Sequence, residues 1–274
     1  MDSTSEKSSV VPKSAASVVL MREGSDGVEI YLLRRHRKAG FMASSYVFPG
    51  GICEEGESDT RETAVRELFE ESGVLLTSKS FEPEQRQSMR DALNADGTMP
   101  PEGTFDVSGL HYFAHWITPT VEKRRYSAEF YLAVMPEGQV ASPDNREVVD
   151  EIWLTPAQAL AQAKELRLPP PQVRTCLELL ESAKGGVDAV LAAARTRSDD
   201  RQAILPRLLA SEKDITLLLP WDVDYERGQG EALAMPAGHA LAWGPSRFVL
   251  LDGEWHHTLA PGSSEVSGKD SDDE

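Results

Sequence analysis

FPGGICEEGESDTRETAVRELFEESGV, residues 48–74, sets seven glutamates and one aspartate behind a Pro-Gly-Gly turn, in a segment that reads as a strand running into a helix. At about 100° per residue, Ala64, Val65, Leu68, Phe69 and Ser72 share one arc of that helix, and Glu67, Glu70 and Glu71 share the opposite one. Asp59 is placed to cap its N-terminus with Glu62 three residues on, and Gly73 to end it. An acidic helix face is ordinarily a solvated surface, but two features argue otherwise. Three glutamates at i, i+3 and i+4 have no lysine at the paired positions, which costs helix stability unless a cation binds. Gly50 and Gly51 permit close backbone approach just before the helix, so a main-chain carbonyl can join the carboxylates in an oxygen-rich site suited to Mg²⁺ or Mn²⁺.

Around this stretch lie 274 residues, 40% hydrophobic and 27% charged, enough to bury a real core. No run approaches the roughly 18 apolar residues needed to span a bilayer. The N-terminus MDSTSEKSSVVPKS lacks the apolar core of a signal peptide, so the expected location is the cytoplasm, away from membranes. Cys53 and Cys176 offer neither a disulfide framework nor a metal cluster. A formal charge of −17 argues against general nucleic-acid binding, which requires clustered Lys and Arg to displace counterions. An anionic small-molecule substrate is compatible with that charge where local cations or metal ions receive it.

Residues 1–13 and 262–274 are polar, low-complexity ends expected to be disordered. Between them, SAASVVLMRE and VEIYLLRR flank a Gly-Ser-Asp-Gly turn and predict a β-hairpin, followed by a basic loop and the strand YVFPGG. EPEQRQSMRDALNAD predicts a second helix; LHYFAHWITP and YSAEFYLAVM predict paired strands; EVVDEIWLTP leads into the helix PAQALAQAKEL. PPPQVRTCLELLESA starts another helix from its prolines. From Ile204 onward, ILPRLLA, ITLLLP, HALAWG, RFVLLDG and EWHHTLAP read as short strands, too brief for a core of their own and expected to pack on the preceding domain or across a dimer. His256 and His257 are neighbours in one such strand and point to opposite faces, which argues against joint metal ligation.

The residues of the acidic stretch resemble the signature of the Nudix hydrolases: a Gly, five residues, a Glu, seven residues, then Arg-Glu-apolar-x-Glu-Glu-x-Gly-apolar. Gly51, Glu57 and the run Arg66-Glu67-Leu68-Phe69-Glu70-Glu71-Ser72-Gly73-Val74 fall on it, with one departure: eight residues, Ser58 to Val65, separate Glu57 from Arg66. An extra residue between Ser58 and Thr60 lies in the loop and leaves the helix in register, with Glu54 and Glu55 as alternatives to Glu57 for bracing Arg66. The resemblance covers residues 14–165 and implies an α/β/α sandwich around a mixed sheet, with residues 166–261 as a helical and β-rich extension. It further implies hydrolysis of a diphosphate joining a nucleoside to another group, with Glu67, Glu70, Glu71 and the Gly51 carbonyl binding Mg²⁺ or Mn²⁺. Arg66 is then an orienting residue, Glu67 a base or a ligand, and a homodimer is the family's frequent habit.

The run LLRRHRKAGFMASSYVFPGG and the segment WITPTVEKRRYSAEFYLAVMP look like the branch that includes the peroxisomal coenzyme A diphosphatases, which makes a coenzyme A derivative the leading specific substrate. ADP-ribose, dinucleotides and nucleotide sugars are the alternatives, and a nucleotide sensor without turnover is a third reading. A sensor would typically have lost a carboxylate of the signature, and none is lost. Arg34, Arg35 and Arg37 in the basic loop, and Arg124 and Arg125 between the two later strands, are candidates for substrate phosphate. In SPDNREVVDEIW the acids are Glu147, Asp150 and Glu151; Glu147 is selected as the additional catalytic acid, because in the antimutator branch of the family an extra glutamate stands at the same offset from a comparable tryptophan.

Overall fold

The computed structural model describes residues 10–40, 42–196, 201–210, 214–233, 235–236, 238–251 and 254–258. The expectation of disordered ends falls mostly on residues outside these ranges.

Period-two apolar spacing builds the hairpin β1 (Lys13–Gly24) and β2 (Gly27–Arg35), whose register closes at Gly24 opposite Gly27. The short strands β3 (Tyr46–Val47) and β4 (Gly50–Ile52) precede the helices α1 (Thr60–Ser72) and α2 (Pro83–Asp96). Then come β5 (His111–Ile117), β6 (Tyr126–Val134) and β7 (Val148–Leu154). Among the described residues these seven strands form one mixed sheet in the order β3-β2-β1-β6-β5, with β4 added to β1 and β7 to β2. The β1–β6 pair is parallel and the others are antiparallel.

Three helices cover the other face: α3 (Pro156–Ala161), α4 (Pro170–Leu179) and α5 (Gly186–Arg195). Alternate residues of β1 and β2 serve opposite layers. Val18, Leu20, Tyr31 and Leu33 pack with Ala64, Val65 and Leu68 of α1, while Val19, Met21, Ile30 and Leu32 pack with Val173, Cys176 and Leu179 of α4 and Val187 of α5. The result is the expected α/β/α sandwich. α5 was not anticipated from sequence, and the helix expected over PAQALAQAKEL is regular only as α3, giving way to turns that end at Arg167 with φ 51°.

Strands β8 (Arg207–Ala210), β9 (Ile215–Leu218), β10 (Arg247–Leu251) and β11 (Glu254–Thr258) form a four-stranded antiparallel sheet. Leu219, Leu241 and Phe248 enter the same apolar core as α4 and α5, so that core runs across residue 165 without a break. HALAWG, expected to be a strand, forms turns instead. The physical reason is its partner: the carbonyls of Leu241 and Trp243 accept from Arg174 of α4 at 2.9 and 2.6 Å, rather than from a neighbouring strand. Arg174 is 1% exposed, ion-paired with Glu178, whose side chain is also covered, and flanked by the rings of Trp221 and Trp243. Among the described residues, no helix is long and apolar enough to cross a membrane.

Arg174, held by Glu178 within α4, ties the helix to this C-terminal segment through the Leu241 and Trp243 carbonyls. Arg174→Ala removes the guanidinium from Glu178 and from the carbonyls of Leu241 and Trp243, and is expected to destabilise the fold by on the order of 3–5 kcal/mol in urea denaturation. Arg174→Met combined with Glu178→Leu removes both charges but not the loss at the two carbonyls, and should recover part of the stability; a double variant as unstable as the single one would put the loss on the carbonyls rather than on the buried charge.

Candidate active site

α1 begins and ends as its sequence dictates. Asp59 accepts the Arg61 N–H at 2.9 Å as N-cap, and Gly73, with φ 72°, donates its N–H to the Phe69 carbonyl at 2.8 Å. Its acidic face does not look into solvent. Glu71 is 3% exposed and accepts the Gly50 N–H at 2.9 Å, and Glu67 lies so close to the turn that a Cβ at Gly51 would stand 2.1 Å from its Oε1. Only residues without a side chain at 50 and 51 let the strand and helix approach this far.

Arg66, 2% exposed, organises the acids around it. Its Nε donates to Glu57 at 2.8 Å, Nη2 to the Ile52 carbonyl at 3.1 Å, and Nη1 to Glu67 at 2.9 Å and Glu70 at 3.3 Å. Glu57 therefore braces the arginine despite the additional residue; Glu54 stands off at 3.9 Å. Glu57 also accepts from the Glu54 N–H and the Thr63 hydroxyl; burial pulls its carboxyl up, but the hydrogen bonds from Arg66, then Thr63 and Glu54, outweigh it and hold the carboxyl below its ordinary value.

The three signature acids behave oppositely. Burial pushes Glu67 up to about 7, with Arg66 resisting and Glu70 and Glu147 adding to the rise. Glu70 is raised chiefly by burial, and Glu71 is raised well above the carboxylate range by burial and the Glu67 charge, with Arg35 opposing. Such a set carries more negative charge than Arg66 and Arg35 balance. Among the described residues no three acidic, His or Cys side chains are already gathered closely enough to hold an ion. Nη1 of Arg66 lies on Glu67 and Glu70 instead. The donor chemistry nonetheless fits a hard divalent cation, since every group offered is an oxygen and the under-neutralised acids face one turn. Binding one requires Glu67 and Glu70 to rotate off Nη1 while Arg66 keeps Glu57 and Ile52.

Around these acids the structure brings several other sequence-selected residues together. Glu147 sits in the loop before β7, exposed, with its charge felt by Glu67, Glu70 and Glu71. Its main-chain carbonyl accepts the His36 N–H at 2.8 Å, joining the acidic loop to the basic one. Asp150 is engaged by the Tyr46 hydroxyl at 2.8 Å and Arg34 at 3.3 Å, and Glu151 by the buried Tyr31 hydroxyl. Arg37 is exposed on the basic loop, and Arg124 reaches the same loop, donating to the Gly40 carbonyl at 3.1 Å. The Nε atoms of Arg34 and Arg35 are buried without a hydrogen-bond partner. Arg125 differs from the rest: it is 4% exposed, and its guanidinium is held by the carbonyls of Thr118 and Val10 at 3.0 and 2.7 Å. That arrangement anchors the start of β1 and takes Arg125 away from the cationic surface.

Sequence reasoning missed two contributors. Asp144 accepts the N–H groups of Arg146, Glu147 and Val148 at 2.9, 3.1 and 3.0 Å, a side-chain turn that SPDN could have signalled. Arg90 of α2 reaches the C-terminal end of α1, and nothing in its local sequence marks it.

Residues 55–179 match the family described as the NUDT19 Nudix domain. A putative nudix hydrolase 7 of Caenorhabditis elegans is 32% identical over 173 residues, covering 59% of this chain and 58% of that protein. The human acyl-coenzyme A diphosphatase NUDT19 is 25% identical over 224 residues, covering 54% and 59% respectively. The chain thus matches a little under three-fifths of the length of these relatives. A crystal structure of a Nudix hydrolase from Alicyclobacillus acidocaldarius superimposes with a TM-score of 0.51 at 19% identity, over 67% of this chain and 96% of that one, which shows a shared fold.

The raised Glu67 has a consequence for the metal-free protein. Between its ordinary pKa of 4.5 and about 7 the folded state keeps a proton that the unfolded state releases, so this group's contribution to stability falls as pH rises through that window. His111, His115 and His257, whose pKa values are lowered by burial, act in the opposite direction, so a control is needed. Urea denaturation in chelator should show Glu67→Gln gaining on wild type between about pH 5 and pH 7.5, with saturating Mg²⁺ abolishing the gain. A difference independent of pH would contradict the assignment.

Proposed function

We propose that this chain, a member of the Nudix hydrolase family, hydrolyses the diphosphate linkage of a nucleoside diphosphate joined to another group, with coenzyme A derivatives as the leading substrate class. The observation that carries the reading is the juxtaposition of three under-neutralised carboxylates, Glu67, Glu70 and Glu71, with Arg35, whose charge is felt at Glu71 and which leads into the basic loop that carries Arg37 and is gripped by Arg124. The coenzyme A assignment draws its support from relatives named as acyl-coenzyme A diphosphatases, together with the two flanking segments of the sequence.

In this reading Glu67, Glu70, Glu71 and the Gly51 carbonyl hold Mg²⁺ or Mn²⁺. The ion would supply neutralisation of phosphate oxygens and a lowered pKa for attacking water. Arg66 stays anchored on Glu57 and the Ile52 carbonyl, beside the carboxylates it would release to the ion. Arg35 and Arg124 draw the diphosphate toward the acids, and Arg37 lies on the outer rim. Glu147, on the loop before β7, would orient the water and accept its proton, alone or shared with Glu67, because acids in one site titrate as a set. Arg125 is left out of substrate binding on account of its burial.

A panel of diphosphate-linked nucleotides, including free and acylated coenzyme A, ADP-ribose and dinucleotides, tests the reading by mass identification of products with Mg²⁺ or Mn²⁺. Turnover in excess chelator would overturn it. Glu70→Gln is expected to reduce kcat by roughly 100-fold or more at limiting metal while the fold survives, and Glu147→Gln to lower kcat by about 10-fold or more with a smaller change in KM. If Glu147→Gln behaves as wild type while Asp150→Asn or Glu151→Gln is crippled, the loop acid is misassigned.

A further inference from the structure

Arg90 is 5% exposed and stands between the two elements that carry the site's acids. Its Nε donates to the Glu70 carbonyl at 3.1 Å, and its Nη2 to the Glu71 carbonyl at 2.9 Å. These carbonyls lie in the last turn of α1, where main-chain acceptors have no partner within the helix and the helix dipole favours a cation. Asn94, one turn along α2, adds its amide N–H to the Glu70 carbonyl at 3.2 Å. On its other side Arg90 donates to the Ser142 carbonyl at 2.8 Å and to the Ser142 hydroxyl at 3.2 Å. The left-handed Gly73 leaves the room this needs, since a Cβ there would meet Nη1 at 2.9 Å.

The connection does not end at Ser142. Its N–H donates to the Ser72 carbonyl at 2.9 Å, closing the loop against the helix end. Two residues on, Asp144 fixes the N–H groups of Arg146, Glu147 and Val148. A single buried guanidinium therefore grips the residues that bear Glu70 and Glu71 and the root of the loop that bears Glu147. A cation serving stability alone could cap α1 equally well with no second set of contacts.

We propose that Arg90 is a positioning residue that sets the spacing between the carboxylates of α1 and Glu147. The proposal rests on the reading of this site as a metal-dependent hydrolase. It requires that loosening Arg90 act through Glu147, so the two should be energetically coupled.

The test uses the full chain with Arg90→Lys, Ser142→Ala, Glu147→Gln and the Arg90→Lys/Glu147→Gln double variant. Mn²⁺ binding is followed by the paramagnetic resonance of free Mn²⁺, and kcat and KM are measured at saturating Mn²⁺ on whichever substrate the panel identifies. Arg90→Lys, which keeps the charge but not the fork of donors, is expected to lower kcat about 10-fold or more with KM changed by less than about 3-fold. Its Mn²⁺ affinity should fall several-fold, and its effect should largely vanish in the Glu147→Gln background. Ser142→Ala, which cuts one contact at the exposed end, should lower kcat by a smaller factor and serves where Arg90→Lys does not fold. Additive effects of Arg90→Lys and Glu147→Gln, or unchanged kcat and Mn²⁺ affinity alongside a lowered melting temperature, would overturn the proposal. A wild-type chain that binds Mn²⁺ but turns over no member of the panel would sink the hydrolase reading, with the metal-affinity arm still deciding on Arg90. Failure to bind Mn²⁺ would remove both.

Discussion

The structure around the site depends on the close approach of the Gly50–Gly51 backbone to the acidic face of α1. A Cβ at Gly50 would stand 2.3 Å from the Ala16 carbonyl oxygen, and one at Gly51 would stand 2.1 Å from Glu67 Oε1. With neither present, β4 can pair with β1 while the helix lies against the turn. The consequence is electrostatic as much as steric. Bringing the turn onto the helix removes water from Glu67 and Glu71, and ionised carboxylates without water or a cation are costly. The fold thereby creates a demand for positive charge at one place.

Positive charge is then deployed in two buried positions of unlike purpose. Arg66 lies among the acids and satisfies all its nitrogens on Glu57, Glu67, Glu70 and Ile52. Arg90 lies behind them and satisfies its nitrogens mainly on main-chain carbonyls. Arg66 competes directly for the carboxylates that a divalent ion would use, whereas Arg90 leaves those oxygens untouched. In a chain of formal charge −17, the arginines that matter are set by where they sit rather than by their number.

Much of this was legible from local pattern. Helical spacing separated Ala64, Val65 and Leu68 from Glu67, Glu70 and Glu71, and Asp59 and Gly73 marked both ends of α1, because periodicity and capping depend on residues a few positions apart. What escaped depends on distant partners. A helical wheel cannot show that Glu71 is buried, since its cover comes from Gly50, 21 residues earlier. It cannot show that Arg125 is fixed by Val10, or that HALAWG lends its carbonyls to Arg174. Alanine-rich α5 carried no cap signal, as its N-terminal position is Gly185 without a side-chain hydrogen bond. The loop acid was narrowed by an offset from a tryptophan, and the structure adds that Asp150 and Glu151 are already engaged by tyrosines.

The register of β2 against β7 explains how two adjacent arginines come to face different tasks. Arg34 opposes Asp150 and Arg35 opposes Val148, so the ladder slips at this point and Val149 is unpaired. A bulge of this kind locally re-aims side chains that strict alternation would send to fixed faces. Arg34 meets Asp150 in an ion pair, while the charge of Arg35 is felt at Glu71. The slip falls where β2 hands over to the basic loop, and the next residue, His36, binds the Glu147 carbonyl. One irregularity in the sheet edge thus sets the cationic rim and the acidic loop side by side. Regularising it would move Arg35 relative to the acids while sparing the apolar residues Tyr31 and Leu33 that hold β2 in the core. The site's charge layout is therefore a property of the strand end, separable from the packing that keeps the sheet intact.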